Sequence, residues 1–113
     1  MQFGRAIIGA GPPYQCQAVC VEGASGFDWS TVTSAYFAVT YPNQTVATWP
    51  AVVTNQIPPT SGNSFQSSAT LTHVYTAGTD LPLLGKTYAV PMGVCPVGTL
   101  EAEAIEITVV PRF

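Results

Sequence analysis

The chain has 113 residues, 47% of them hydrophobic and only 8% charged, with a formal net charge of −3. That length fits one domain around one core, while a typical soluble domain carries about 25% charged residues. Three Lys and Arg residues neutralise too few phosphates for a nucleic-acid role, and so apolar a composition argues against disorder.

A surface this poor in ions must be built from hydroxyls, amides, Gly, Pro and apolar groups, and the chain holds fourteen Thr and seven Ser. Such surfaces repel one another weakly. Part of this one is therefore expected to be covered by a partner; a monomer hydrated through its hydroxyls is the other reading.

In chain order, residues 1–13 read as an extended arm ending in Gly11-Pro12-Pro13, since Pro-Pro joins neither sheet interior nor helix. This start does not read as a secretory signal. Residues 14–113 read as the folded domain. Residues 14–22 are a predicted strand with Cys16 and Cys20 on one face, ~13 Å apart at 3.3 Å per residue and too far for a direct disulfide. Gly23-Ala24-Ser25-Gly26 is a turn. Residues 31–41 alternate most cleanly, with Ala35, Phe37, Val39 and Tyr41 sharing a face. Pro42-Asn43-Gln44-Thr45 is a hairpin turn, and residues 45–54 return with Pro50 marking an edge strand or bulge.

Residues 55–65 read as loop. Residues 66–76 form a strand with Ala69, Leu71, His73 and Tyr75 on one face, and 78–85 form a connector. In 86–95, Tyr88, Val90 and Met92 share a face. Residues 99–110 align Ile105, Ile107 and Val109, but Glu101 and Glu103 fall on the same parity, so a bulge near Ala104 or a strand half outside the core is expected. A helix over Leu100–Glu106 competes, and the Ile-Glu-Ile-Thr-Val-Val run favours strand. Six or seven short strands separated by turns predict an all-β, Ig-like antiparallel β-sandwich.

Chemical motifs are weak. Gly85-Lys86-Thr87 lacks the first Gly of a phosphate loop, because position 80 is Asp80, and a strand rather than a helix follows. His73 is the sole histidine, and a triad would need a Ser with Asp28 or Asp80 beside it, which the spacing does not encourage. Glu101 and Glu103 would lie ~6.6 Å apart along a strand, within the range used for glycoside hydrolysis, but a solvated strand end explains them. Asn43-Gln44-Thr45 matches the glycosylation pattern and reads as a turn. One His and no CxxC pair give no zinc site, and no apolar run reaches the ~18–20 residues of a membrane span. Cys95 is placed to meet Cys16 or Cys20, though three buried thiols in a reducing compartment is the plainer reading. Trp29, Trp49 and Tyr36 form either a sugar-stacking platform or part of a core or interface. No catalytic residue, cofactor or metal ligand is assigned.

Two stretches carry a resemblance. One runs from Asp28-Trp29-Ser30 through Tyr41-Pro42-Asn43-Gln44-Thr45 to Trp49; the other holds Leu71-Thr72-His73-Val74-Tyr75, Gly78, Asp80, Gly85 and Tyr88. With the Ile105–Val109 strand, this resembles Ig-like β-sandwich domains of tailed-phage virion proteins, in particular the N-terminal domain of baseplate upper proteins and related small tail or head proteins. Gln44 stands where that pattern has a turn Gly, Thr79 separates Gly78 from Asp80, and residues 1–13 have no counterpart. The resemblance implies a non-enzymatic structural part of a virion assembled in the bacterial host cytoplasm, as capsid decoration or as a neck, tail or baseplate component. Its expected partners are other virion proteins or many copies of itself, with Phe3, Arg5, Ile7, Ile8, Pro12 and Pro13 of the arm as contact residues. A carbohydrate-binding or host-attachment module, with a host glycan as ligand, is the alternative.

Overall fold

Strand-forming alternation dominates the chain, and the computed structural model, which describes residues 2–7, 15–22, 28–76 and 79–111, is all-β. Its strands are β1 (Gln2–Ile7), β2 (Gln15–Glu22), β3 (Ser34–Thr40), β4 (Val46–Ile57), β5 (Ser67–Val74), β6 (Gly85–Cys95), β7 (Gly98–Glu101) and β8 (Ile105–Val110). Short 3₁₀ turns lie at Trp29–Thr31 and Ser61–Asn63.

The strands form one hydrogen-bonded path, β1-β8-β6-β3-β4-β5-β2, with β7 against β6. β4 makes two layers of it. Its residues 46–51 pair antiparallel with β3, and residues from Val52 onward pair with β5. Over the first half β4 is an edge, which suits the missing N–H of Pro50. Asn55, in the left-handed region at φ 52, marks a shift of register between Thr54 and Ile57, and this bulge carries the strand beyond the end its sequence suggested. Both layers contribute to one core, with Cys16, Ala18 and Cys20 of β2, Phe37 and Val39 of β3, Trp49 of β4, Leu71 of β5 and Ile107 of β8.

Trp29 closes one end of this core. Its N–H donates to Ser67 Oγ at 2.9 Å, and Ser67 Oγ donates to the Glu22 carbonyl at 3.2 Å, so one hydroxyl ties the turn to β5 and β2. Gly93 of β6 lies against the Trp29 ring, where a methyl group would overlap Trp29 and Val32. This explains the polarity of β6. The face turned inward is Thr87, Ala89, Pro91, Gly93 and Cys95, whereas Tyr88, Val90 and Met92 are only half-buried, because large side chains from elsewhere already fill the volume in front of this strand.

The last segment divides where its parity conflict lay. β7 ends at Glu101 and β8 starts at Ile105, with the Ala102 N–H donating to the Pro91 carbonyl between them at 3.0 Å. Leu100, Ile105, Ile107 and Val109 are thereby all buried. Residues 2–7 of the expected arm run as β1 parallel to β8 of the same chain, placing Phe3 beside Glu106, Arg5 beside Thr108 and Ile7 beside Val110. An unpaired β8 edge would leave backbone groups without partners, and β1 satisfies them. Ile8, Pro12 and Pro13 lie outside the described residues.

The β3–β4 hairpin closes with the Gln44 N–H on the Tyr41 carbonyl at 2.9 Å. The Asn43 Oδ1 accepts from the Thr45 hydroxyl at 2.6 Å and from its N–H at 3.2 Å. Gln44 sits at φ 68, a conformation that costs an L side chain but not glycine. Gln44→Gly should therefore raise the unfolding free energy by about 0.5–1 kcal/mol, measured by urea denaturation at unchanged m-value.

Candidate functional site

Two groupings stand out: one inside the protein, one on its surface. The internal one is built on β5, whose period of two sends His73 inward. The imidazole stacks on Trp49 of β4, with ring centroids 5.0 Å apart and planes 14° from parallel, and Tyr75 meets Trp49 edge-on at 5.4 Å. His73 Nδ1 lies 2.8 Å from the Pro50 carbonyl, and Nε2 lies 2.8 Å from Asp80 Oδ2. Asp80 also accepts the Thr76 N–H. A carbonyl only accepts, so Nδ1 is the donor to Pro50. The Trp49 indole N–H donates to the Tyr41 hydroxyl at 3.4 Å.

The structure thus brings His73 and Asp80 together, two members of the set a triad needs. Among the described residues no serine hydroxyl bonds to the imidazole. One imidazole nitrogen is taken by a backbone carbonyl and the other by Asp80, the ring face is covered by Trp49, and both residues are buried. No position is left from which this base reaches a substrate hydroxyl, and the arrangement serves as a fastening between β4, β5 and the loop after β5.

The cysteines behave as core residues. Cys16, Cys20 and Cys95 are buried and free, so neither pairing open to Cys95 is formed. Burial pushes the Cys16 and Cys20 thiols up to about 12, and for Cys16 a hydrogen bond with Tyr75 works weakly the other way. Burial likewise raises Tyr75. Among the described residues no three His, Cys, Asp or Glu side chains converge to hold a metal ion. Glu106 is buried and binds Lys86 Nζ at 3.0 Å, which raises the lysine. Glu101 and Glu103 are exposed, Glu101 ending β7 and Glu103 lying past it.

Trp29 and Trp49 are 1% and 2% exposed and Tyr36 is half-buried. This corrects the sugar-platform expectation. The tryptophan rings are committed to Gly93 and Val32 in one case and to His73 and Tyr75 in the other, so neither offers a face for stacking.

The surface grouping is the outer face of β2, β5 and β4. Gln15, Gln17, Val19 and Val21 of β2 point outward opposite Val74, Thr72, Thr70 and Ser68 of β5, and β4 adds Val52 beside Thr72 and Thr54 beside Thr70. None of these ten residues is charged. Val19, Val21, Val52 and Val74 are 63%, 51%, 65% and 54% exposed, whereas isolated exposed apolar residues are the ordinary case. Near the end of β4, Phe65 is 67% exposed at φ 58. Its loop is held by Asn63, whose Oδ1 accepts the Thr60 and Gln66 N–H groups and whose Nδ2 donates to the Pro58 carbonyl. Reasoning from the sequence placed partner contact in residues 1–13 and did not single out this face. The available signal was β2 itself, where small residues on the inner parity leave Gln and Val outside.

Comparison with protein-family models, with curated proteins and with solved structures finds no match to this chain.

Two outcomes follow from the internal cluster. Asp80→Ala strands the imidazole and the Thr76 N–H and should cost about 3–5 kcal/mol. Asp80→Asn keeps the side-chain volume but can satisfy only one of the two groups that meet at Oδ2, His73 Nε2 or the Thr76 N–H, and should cost less than Asp80→Ala; thermal melting of the two variants checks the order. Second, the folded state keeps protons on Cys16 and Cys20 that the unfolded chain loses from pH 9 upward. Stability should hold below pH 9 and fall as pH rises from 9 towards 12, and denaturation midpoints should fall less steeply in Cys20→Ala.

Proposed function

We infer that this chain is a non-enzymatic structural component of a tailed-bacteriophage particle, working through contacts with neighbouring virion subunits. The observation that carries the reading is the ion-free face of β2, β5 and β4, with four exposed valines set among Thr and Gln. Surface of this kind loses little on desolvation and gains on burial, as the central part of a protein interface does. The hydrogen-bonded loop after β4 adds the exposed aromatic ring of Phe65. Strand order gives further support to the family resemblance: β4-β5-β2 in one layer and β4-β3-β6-β8 in the other correspond to strands D, E, B and C′, C, F, G of Ig variable-type sandwiches. The residues brought together inside the protein serve packing and hydrogen bonding, which accords with a part that holds rather than transforms its partners. Capsid decoration and a neck, tail or baseplate position share this chemistry.

The test uses particles of the phage that encodes the chain, assembled with and without its gene and viewed by negative-stain microscopy. Fragile heads identify decoration; tailless or non-adsorbing particles identify the other positions; particles indistinguishable in form, stability and adsorption overturn the reading. Purified chain added back should occupy the vacant positions. Val52→Lys and Val74→Lys together should lower occupancy at least tenfold with unchanged melting temperature, and full occupancy by that variant would remove the face from the interface.

A further inference from the structure

β2 is the last strand of the sheet path, and among the described residues nothing pairs with its outer edge. Proteins usually blunt such an edge with a proline, a bulge, a lysine or an inward charge. β2 has no proline, bulge or lysine, and its one charge on the inward parity is Glu22 at its last residue. It runs eight residues, Gln-Cys-Gln-Ala-Val-Cys-Val-Glu, in unbroken register with β5 from Gln15 opposite Val74 to Glu22 opposite Ser67. Exposed and buried residues alternate along it from Gln15 to Val21. This is a regular strand with an unused row of backbone donors and acceptors.

We propose that the partner of this edge is a second copy of the same chain, paired antiparallel through β2 about a two-fold axis at Ala18. The inference rests on the reading that the chain works by subunit contact, and it names one of those subunits.

Charge and pattern select the second copy. Opposite residues of an antiparallel pair share a face, so a two-fold at Ala18 sets Gln17 against Val19 and Gln15 against Val21 on the outside, and Cys16 against Cys20 within. No ion opposes another. The sole charge on β2 is Glu22, and the two copies of it end ~26 Å apart, at 3.3 Å per residue and beyond the screening length at physiological salt. The pairing joins β4-β5-β2 to its symmetry mate as one six-stranded layer. Its outer face then carries both sets of Val19, Val21, Val52 and Val74 without a charged group, doubling the surface offered to the particle. An isologous contact of this kind closes on itself and does not propagate into fibres.

The experiment is sedimentation velocity on the purified full chain from micromolar to millimolar concentration, with hydrogen exchange followed at the β2 amides. The chain should be dimeric at the upper end, and alternate β2 amides should be protected there and exchange at least tenfold faster on dilution. Val19→Lys, which puts two ammonium groups beside the axis, should weaken dimerisation at least tenfold with unchanged melting temperature. Val52→Lys, on the same face but two strands from the edge, should leave the dimer intact. A monomer at every concentration overturns the inference. So does a dimer whose β2 amides stay unprotected, or one that Val52→Lys weakens as much as Val19→Lys, since that would be face-to-face packing. If Val19→Lys misfolds, the amide measurement on the unaltered chain decides alone. A dimer that fails to bind particles overturns the structural role and leaves the β2 pairing; a monomer that fully decorates particles does the reverse.

Discussion

The two layers are held in position by one imidazole. β4 leaves β3 after Ala51 and joins β5 at Val52, and next to this crossing His73 binds the Pro50 carbonyl with one ring nitrogen and Asp80 with the other. A strand that changes partners leaves some backbone groups without ladder partners at the crossing, and the Pro50 carbonyl, partly buried, is one that needs another donor. His73 supplies that hydrogen bond from β5, and Asp80 supplies the matching acceptor from the following loop. Trp49 and Tyr75 cover the ring, so the contact lies where water competes little. The crossing of β4, the position of β5 and the course of the chain after Thr76 all depend on it.

The same economy of charge governs the outside. With 8% charged residues, the protein buries Asp80 against His73 and Glu106 against the exposed Lys86. The outer face of β2, β5 and β4 is left without ions. A free protein usually scatters charge over such a face to keep its copies apart. Its absence here joins the fold to the proposed role: what makes the surface poor at staying alone makes it good at being covered.

Much of the fold could be read from local pattern. The alternation through Ala35, Phe37 and Val39, the turn at Pro42–Thr45, the inward parity of Ala69, Leu71 and His73, and the shared face of Cys16 and Cys20 are each properties of a few consecutive residues, and each is found. What local pattern did not contain was partnership across the chain. β1 has no turn joining it to β8. The extension of β4 through Asn55 depends on β5 being there to receive it. The inward choice on β6 depends on Trp29 and its neighbours having claimed the space. In the candidate sites, His73 and Asp80 were visible singly but their contact was not, because one is set by strand parity and the other by a loop. The tryptophans, equally suited to a core or to a surface by type, were decided by their neighbours.

The place of β1 has a consequence for how the protein is made. Gln2 finds its neighbour only at Ile105, so β1 cannot pair until the whole of the intervening chain and β8 have been made. Every other pairing is nearer in sequence, and closure of a long loop is entropically the slowest to be recovered. Loop-closure entropy thus sets the docking of β1 apart from the shorter-range pairings, and wherever β1 is undocked the β8 edge stands bare to other strands.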